Sequence, residues 1–198
     1  EIFTQLNRWW FEKLQLKHHT VDVDSTILPR YGTQEGVEIG YNPRKPGRGS
    51  HHPIIAFAAE ARMVIQAWMR TGNSASSTDF KEFIDLVLQT LDRSKIGLLR
   101  ADSGFFGNDV LSYLEEKQLN YIVAAKMYPT LTQKIFDSTG WHSCIEGIDI
   151  CSFDYQAKDW PASRRIVVVR KHKKEHPKSG GKSLFEEYDD FCEYLYSA

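Results

Sequence analysis

The sequence predicts a mixed α/β fold with a β-rich insertion at its C-terminal end. Three observations carry this expectation. A strand that alternates valine with aspartate, residues 19–28, precedes two apolar runs, 52–60 and 63–70, separated only by Ala61 and Arg62. Helical stripes then alternate with short apolar runs as far as Phe136. From Trp141 onward the spacing is that of strands, with no helical stripe between them.

Taken in order, residues 1–17 hold Ile2, Leu6, Trp9, Trp10 and Leu14 near helical spacing. This predicts a short helix whose tryptophans join the core rather than stack on bases. In 19–28, Val21 and Val23 share one face of a strand while Asp22 and Asp24 share the other. Residues 31–50 contain five glycines and two prolines, which predicts a long loop or irregular hairpin. The runs 52–60 and 63–70 predict a β-hairpin, broken after Thr71 by Gly72, Asn73 and Ser74. Phe80, Phe83, Ile84, Val87, Leu88 and Leu91 form one helical stripe, and Asp79 with Glu82 resembles a capping box at its start. Residues 95–101 predict a strand ending on Asp102, then a turn at Gly104 and Gly107, then a helix capped by Asn108. Residues 120–126 predict a strand and 131–136 a short helix. The runs 145–155, 165–170 and 191–196 predict the β-rich segment. Three antiparallel strands ahead of the first crossover helix, with parallel strands after it, is the RNase H-like order. The predicted division is an RNase H-like core over 1–140 and the start of a β-rich insertion over 141–198.

Bulk properties narrow the function. The 198 residues, 41% of them hydrophobic and 26% charged, suffice for one domain with a real core. No apolar run is long enough to span a membrane, and no signal peptide is visible. Cys144, Cys151 and Cys192 are an odd number at no zinc-like spacing, which predicts free thiols in a reducing cytoplasm. The net charge of −1 speaks mildly against nucleic acid, but the charge is segregated. Residues 164–182 hold eight basic residues and one acid, and 186–193 hold five acids and no base. Arg44, Lys45 and Arg48 form a second basic spot on a Gly/Pro loop. Both basic segments are open between solvated loop and phosphate contact. His51 and His52 are expected to pack or cap rather than touch DNA.

The chemistry is carried by aspartates. Two carboxylates on one strand face repel each other, so one must be protonated or a cation must be present. Asp102 closes an apolar strand where α/β sheets place their sites. Oxygen donors without His or Cys suit Mg²⁺ or Mn²⁺. Two such ions about 4 Å apart activate an attacking oxygen and stabilise a leaving one. Asp22 is open between a ligand and a structural role. Asp24 and Asp102 are ligands unless they merely cap turns. Residue pattern alone reaches metal-dependent phosphoryl chemistry.

The segments Val21-Asp22-Val23-Asp24-Ser25-Thr26, Tyr31-Gly32-Thr33-Gln34-Glu35-Gly36, Gly40-Tyr41-Asn42-Pro43-Arg44-Lys45-Pro46-Gly47-Arg48, His52-Pro53 and Arg100-Ala101-Asp102-Ser103-Gly104-Phe105-Phe106 resemble bacterial insertion-sequence transposases of the DDE group. The resemblance runs from about Val21 to Lys126. It implies that Asp24 and Asp102 are the first two catalytic, metal-binding carboxylates, serving two Mg²⁺ or Mn²⁺ ions. It also implies double-stranded DNA, transposon ends and target, as substrate, and a homo-oligomer as the active complex. The third acid of that group is a Glu on a later helix. No such helix is visible here, since Glu186 and Glu187 precede a strand-like run. The chain therefore reads as a catalytic core without its third carboxylate, inactive alone.

Two rivals stand beside this reading. Asp22-x-Asp24-x-Thr26 also fits a haloacid-dehalogenase-like phosphatase, with Asp22 as nucleophile, Asp24 as acid/base and Asp102 and Asp109 as Mg²⁺-binding acids. That fold needs a crossover helix after the motif, where a hairpin is predicted. The other rival is a non-catalytic DNA-binding or protein-binding transposase remnant.

Overall fold

The computed structural model describes residues 2–14 and 16–171. The expected strand at 191–196, the basic run beyond 171, Cys192, Glu186 and Glu187 lie outside them. A first compact unit runs to Val123 and a second begins at Ala124.

The first unit is organised by one five-stranded sheet. Its strands are β1 (His19–Ser25), β5 (Ile54–Ala58), β6 (Met63–Trp68), β7 (Ile96–Ala101) and β8 (Tyr121–Val123), in the spatial order β6-β5-β1-β7-β8. β5 pairs antiparallel with both β1 and β6, while β7 runs parallel to β1 and β8 parallel to β7. Parallel neighbours require crossovers, supplied by α2 (Phe80–Thr90) between β6 and β7 and α3 (Asn108–Glu116) between β7 and β8. The expected hairpin and crossovers are all present, and the sheet is RNase H-like.

Alternation explains the core. Along β1, His19, Val21 and Val23 are buried, while Asp24 on the other face is exposed. Phe80, Phe83, Ile84 and Val87 of α2 and Val110, Leu111 and Leu114 of α3 are buried. Burying each large apolar side chain stabilises the fold by roughly 1.5–3 kcal/mol. Ring contacts add to this: Phe83 meets Trp68 edge-on at 5.5 Å between centroids, and Phe80 meets Phe105 at the same separation.

Three local expectations give way to tertiary demands, and a fourth, for residues 31–50, is met in its hairpin form. α1 (Ile2–Lys13) forms, but it buries Asn7 and Phe11, leaving Trp9 and Trp10 half exposed, 49% and 46%. The reason is the neighbour it covers. Asn7 Nδ2 donates to the carbonyls of Val64 (3.1 Å) and Ile65 (2.9 Å) on β6, the sheet's edge strand. Asp79 caps nothing with its side chain, because it sits in the left-handed region at φ 54°. Asn108 is the first residue of α3, not its cap, and its Oδ1 accepts from Ser112 Oγ at 3.2 Å. Residues 28–51 hold a small antiparallel sheet: β2 (Leu28–Pro29), β3 (Glu38–Ile39) and β4 (Gly49–His51), in the order β2-β4-β3. Its backbone packs so closely on the chain after β6 that a Cβ on Gly72 would lie 2.1 Å from the Ser50 carbonyl oxygen and 2.2 Å from that of Glu38.

His19 is fully enclosed, and neither ring nitrogen has a partner among the described residues. Burial lowers its pKa below the usual histidine value, with the Glu60 carboxylate opposing and the Lys95 ammonium adding. The unfolded chain takes up a proton near pH 6.5 where the folded chain resists it, so stability falls as pH drops below that value. Urea midpoints at about pH 7.5 and about pH 5.5, either side of the ordinary histidine value, should therefore differ less in His19→Phe than in the wild type. Equal pH dependence in the two proteins would contradict the assignment.

The second unit places α4 (Pro129–Phe136), with proline in its first turn, beside a three-stranded antiparallel sheet. That sheet comprises β9 (His142–Ile145), β10 (Ile148–Tyr155) and β11 (Arg164–Lys171), in the order β11-β10-β9. Leu131, Ile135, Tyr155, Trp160, Ile166 and Val168 are buried in it. Thr130 Oγ1 and Tyr155 Oη share a hydrogen bond of 2.8 Å, which ties α4 to β10. Cys144 and Cys151 are free thiols. No helix among the described residues is long and apolar enough to cross a membrane.

Candidate metal centre

β1 and β7 run parallel in a register that pairs Val23 with Ala101. The next residue on each strand is an aspartate, Asp24 on β1 and Asp102 just beyond the end of β7. Neighbouring strands lie about 4.8 Å apart, so the two acids occupy adjacent places at the C-terminal edge of the parallel pair. Both are exposed.

Each carboxylate is oriented by one backbone amide. Ser25 N donates to Asp24 Oδ1 at 2.7 Å, and Gly104 N donates to Asp102 Oδ1 at 2.9 Å. The second bond belongs to the 3₁₀ turn Ser103–Phe105, which Asp102 caps, so the turn-capping alternative is also met. It uses only one oxygen. Neither acid makes an ion pair among the described residues, and Oδ2 of each accepts no hydrogen bond from them.

Asp22 is different. Arg100, its register partner on β7, grips it with both prongs: Nε to Oδ1 at 2.6 Å and a terminal nitrogen to Oδ2 at 2.8 Å. Its charge is thereby answered by the protein, which is the structural role left open by the sequence. The phosphatase reading needs Asp22 as a free nucleophile and a crossover helix after β1. Here Asp22 is paired and the next strand of the main sheet, β5, is antiparallel.

Sequence reasoning missed Ser76. Its Oγ accepts from Ser25 Oγ at 2.9 Å, and a Cβ on Gly104 would come within 2.6 Å of it and 2.9 Å of Asp102 Oδ1. Only glycine at 104 allows that approach. The segment carrying Ser76 is pinned by the buried Arg70. Its Nε donates to His52 O at 3.0 Å, and a terminal nitrogen donates to Ser76 O (3.1 Å) and Thr78 O (2.5 Å). His51 and His52 are buried and packed as expected. His51 Nδ1 accepts from Arg30 Nε at 3.0 Å, its Nε2 donates to Glu35 O at 2.9 Å, and His52 Nδ1 donates to Ser74 O.

Among the described residues no group of three or more His, Cys, Asp or Glu converges. What converges is a pair of oxygen donors, and an all-oxygen pair with open coordination places fits a hard divalent ion.

The family described as Transposase DDE domain group 1 matches residues 5–182. The piggyBac transposase, solved as a synaptic complex with hairpin DNA, is 13% identical with a TM-score of 0.50, covering 90% of this chain and 33% of that one. The catalytic domain of Mos1 mariner transposase is 10% identical with a TM-score of 0.38, covering 69% of this chain and 70% of that one. The Mos1 mariner paired-end complex with Mn is 12% identical with a TM-score of 0.38, covering 69% and 46%. Curated proteins gave no match. The chain spans a third of the length of the piggyBac chain it matches. With the family match extending over most of its residues, the chain belongs to the DDE-domain transposases of group 1.

Proposed function

We propose that this chain carries part of the active site of a DNA transposase, which cuts and joins phosphodiester bonds using divalent ions held by Asp24 and Asp102. The observation behind the reading is the adjacency of two singly anchored aspartates at the parallel strand ends of a DDE-family sheet. Bound Mg²⁺ or Mn²⁺, two ions in all, would supply charge for the attacking and leaving oxygens. The chain's own residues do the positioning. The Ser25 and Gly104 amides each fix one carboxylate oxygen, and Ser76 braces Ser25 between them. The substrate is double-stranded DNA, transposon ends and target, and the active complex is a homo-oligomer working in the cytoplasm. Of the basic loop Arg44–Arg48, Lys45 and Arg48 contact phosphates. The third carboxylate comes from outside the described residues.

Manganese binding tests the ligand assignment directly. Titration of the chain with Mn²⁺, followed by the electron paramagnetic resonance of the free ion, should show weak binding. Asp24→Asn or Asp102→Asn should weaken it by more than ~100-fold, beyond the 10- to 100-fold that loss of a ligand's hydrogen-bond partner costs. Asp109→Asn should leave it unchanged. Binding that survives both active substitutions, or none in the wild type, would remove the metal centre from these residues.

A further inference from the structure

The small sheet frames a cavity of about 520 Å³ lined by Arg30, Tyr31, Thr33, Lys45, Arg48 and the backbone between them, with no acid in its wall. None of Arg30, Lys45 and Arg48 is paired with a carboxylate among the described residues. Three unpaired cations around one concavity repel one another and invite an anion.

The loop is built to hold them there. The Asn42 side chain is buried and its Oδ1 accepts from Lys45 N at 3.0 Å. Arg48 N closes the turn on Lys45 O at 3.2 Å, with Gly47 between them at φ 75°. Arg30 N donates to Gly49 O at 2.9 Å, and the Arg30 side chain is steered by His51. Tyr31, 73% exposed, gathers the other two cations. Lys45 Nζ donates to its hydroxyl at 2.5 Å and lies 5.2 Å from the ring centre, while the Arg48 guanidinium lies 4.6 Å from it. An exposed aromatic that buries nothing and engages two cations serves to place charge.

Position in the fold says what kind of anion. β2 leaves the main sheet directly after β1, and β4 returns into β5, whose Ile54 pairs with Ser25. The cavity therefore belongs to the same end of the sheet as Asp24. We infer that the Arg30–Tyr31–Lys45–Arg48 cavity is a phosphate clamp that grips the backbone of duplex DNA beside the metal centre. Tyr31 acts as its organiser, and Arg44, which does not line it, stays outside. The identity of the polyanion rests on the transposase reading.

The test is fluorescence anisotropy of a labelled DNA duplex bound by the full chain in EDTA over a range of salt, so that metal binding plays no part. Lys45→Ala and Arg48→Ala should each lower the slope of log K against log salt by about 0.9, a loss of roughly tenfold in affinity near 0.1 M salt. Tyr31→Ala should weaken binding severalfold while leaving the slope unchanged, because it removes no charge. Arg44→Ala should do neither. Binding by the Lys45→Ala/Arg48→Ala double variant equal to wild type would overturn the clamp. So would an Arg44→Ala loss equal to that of Arg48→Ala, which would indicate a diffuse basic loop. Circular dichroism melting confirms that these exposed substitutions leave the fold intact. Asp24→Asn and Asp102→Asn each remove a negative charge and should bind this duplex at least as tightly as the wild type, so failure of the metal centre and failure of the clamp give different results.

Discussion

Asp24→Asn or Asp102→Asn should each reduce cleavage of transposon-end DNA by at least about 10³-fold if the proposed metal centre carries the reaction. Stabilisation of transition-state charge by a bound ion amounts to several kcal/mol, and each 1.36 kcal/mol is tenfold in rate. The more discriminating substitution is Asp102→Glu, which keeps the charge and adds one methylene. Asp102 is held by a 2.9 Å bond to Gly104 N inside a tight turn, so a longer side chain displaces the carboxylate. A displacement of about 1 Å costs on the order of 10²-fold. Single-turnover cleavage on a labelled end, compared in Mg²⁺ and Mn²⁺, measures both effects. Asp102→Glu cleaving at the wild-type rate would mean that the carboxylate is not a ligand. Asp22→Asn is expected to lower stability by no more than about 1 kcal/mol, because its pair with Arg100 is more than a third exposed on each side.

The largest effect on stability is expected at Arg70. Replacement by methionine keeps length and removes the donors, so the carbonyls of His52, Ser76 and Thr78 lose their partner together. An orphaned buried acceptor costs about 1–3 kcal/mol. Releasing a desolvated guanidinium returns part of this, and its pKa is already lowered by burial. A net loss of about 3 kcal/mol lowers the melting temperature by roughly 6–12 °C in a chain of this size. Arg70→Lys should behave similarly, since one ammonium cannot span three carbonyls in a planar fork. Differential scanning calorimetry decides it, and a shift below about 2 °C, under 1 kcal/mol on the same scale, would show the segment at Ser76 to be held by other means.

Long-period features were legible in the sequence. The α2 stripe from Phe80 to Val87, the valine–aspartate alternation of β1 and the hairpin of β5 and β6 each repeat often enough to announce themselves. β2 and β3 span two residues each, too short for any period, so the glycines and prolines announce only a long loop or irregular hairpin there. The adjacency of Asp24 and Asp102 was legible because each interrupts or ends an apolar strand. Ser76, Arg70 and Arg30 were not, since their partners, between 6 and 51 residues away, follow no period. The tryptophans of α1 were misplaced because spacing shows that a helix has an apolar side, but not that Asn7 would be turned inward to serve the edge of β6.

The parallel pairing of β1 with β7 has a kinetic side. Asp22 and its partner Arg100 are 78 residues apart, and between them lie the small sheet, the hairpin and α2. Loop closure over that span brings no reward until α2 has docked and the ladder zips, which makes this pairing among the slow events of folding. The two acids thus meet only once the centre of the sheet is complete. A nascent or partly unfolded chain, although it carries both aspartates, would not yet present the proposed joint site to a metal ion. In refolding experiments, Mn²⁺ affinity should therefore rise with protection of the β7 amides against hydrogen exchange, and not with the earlier growth of helix signal.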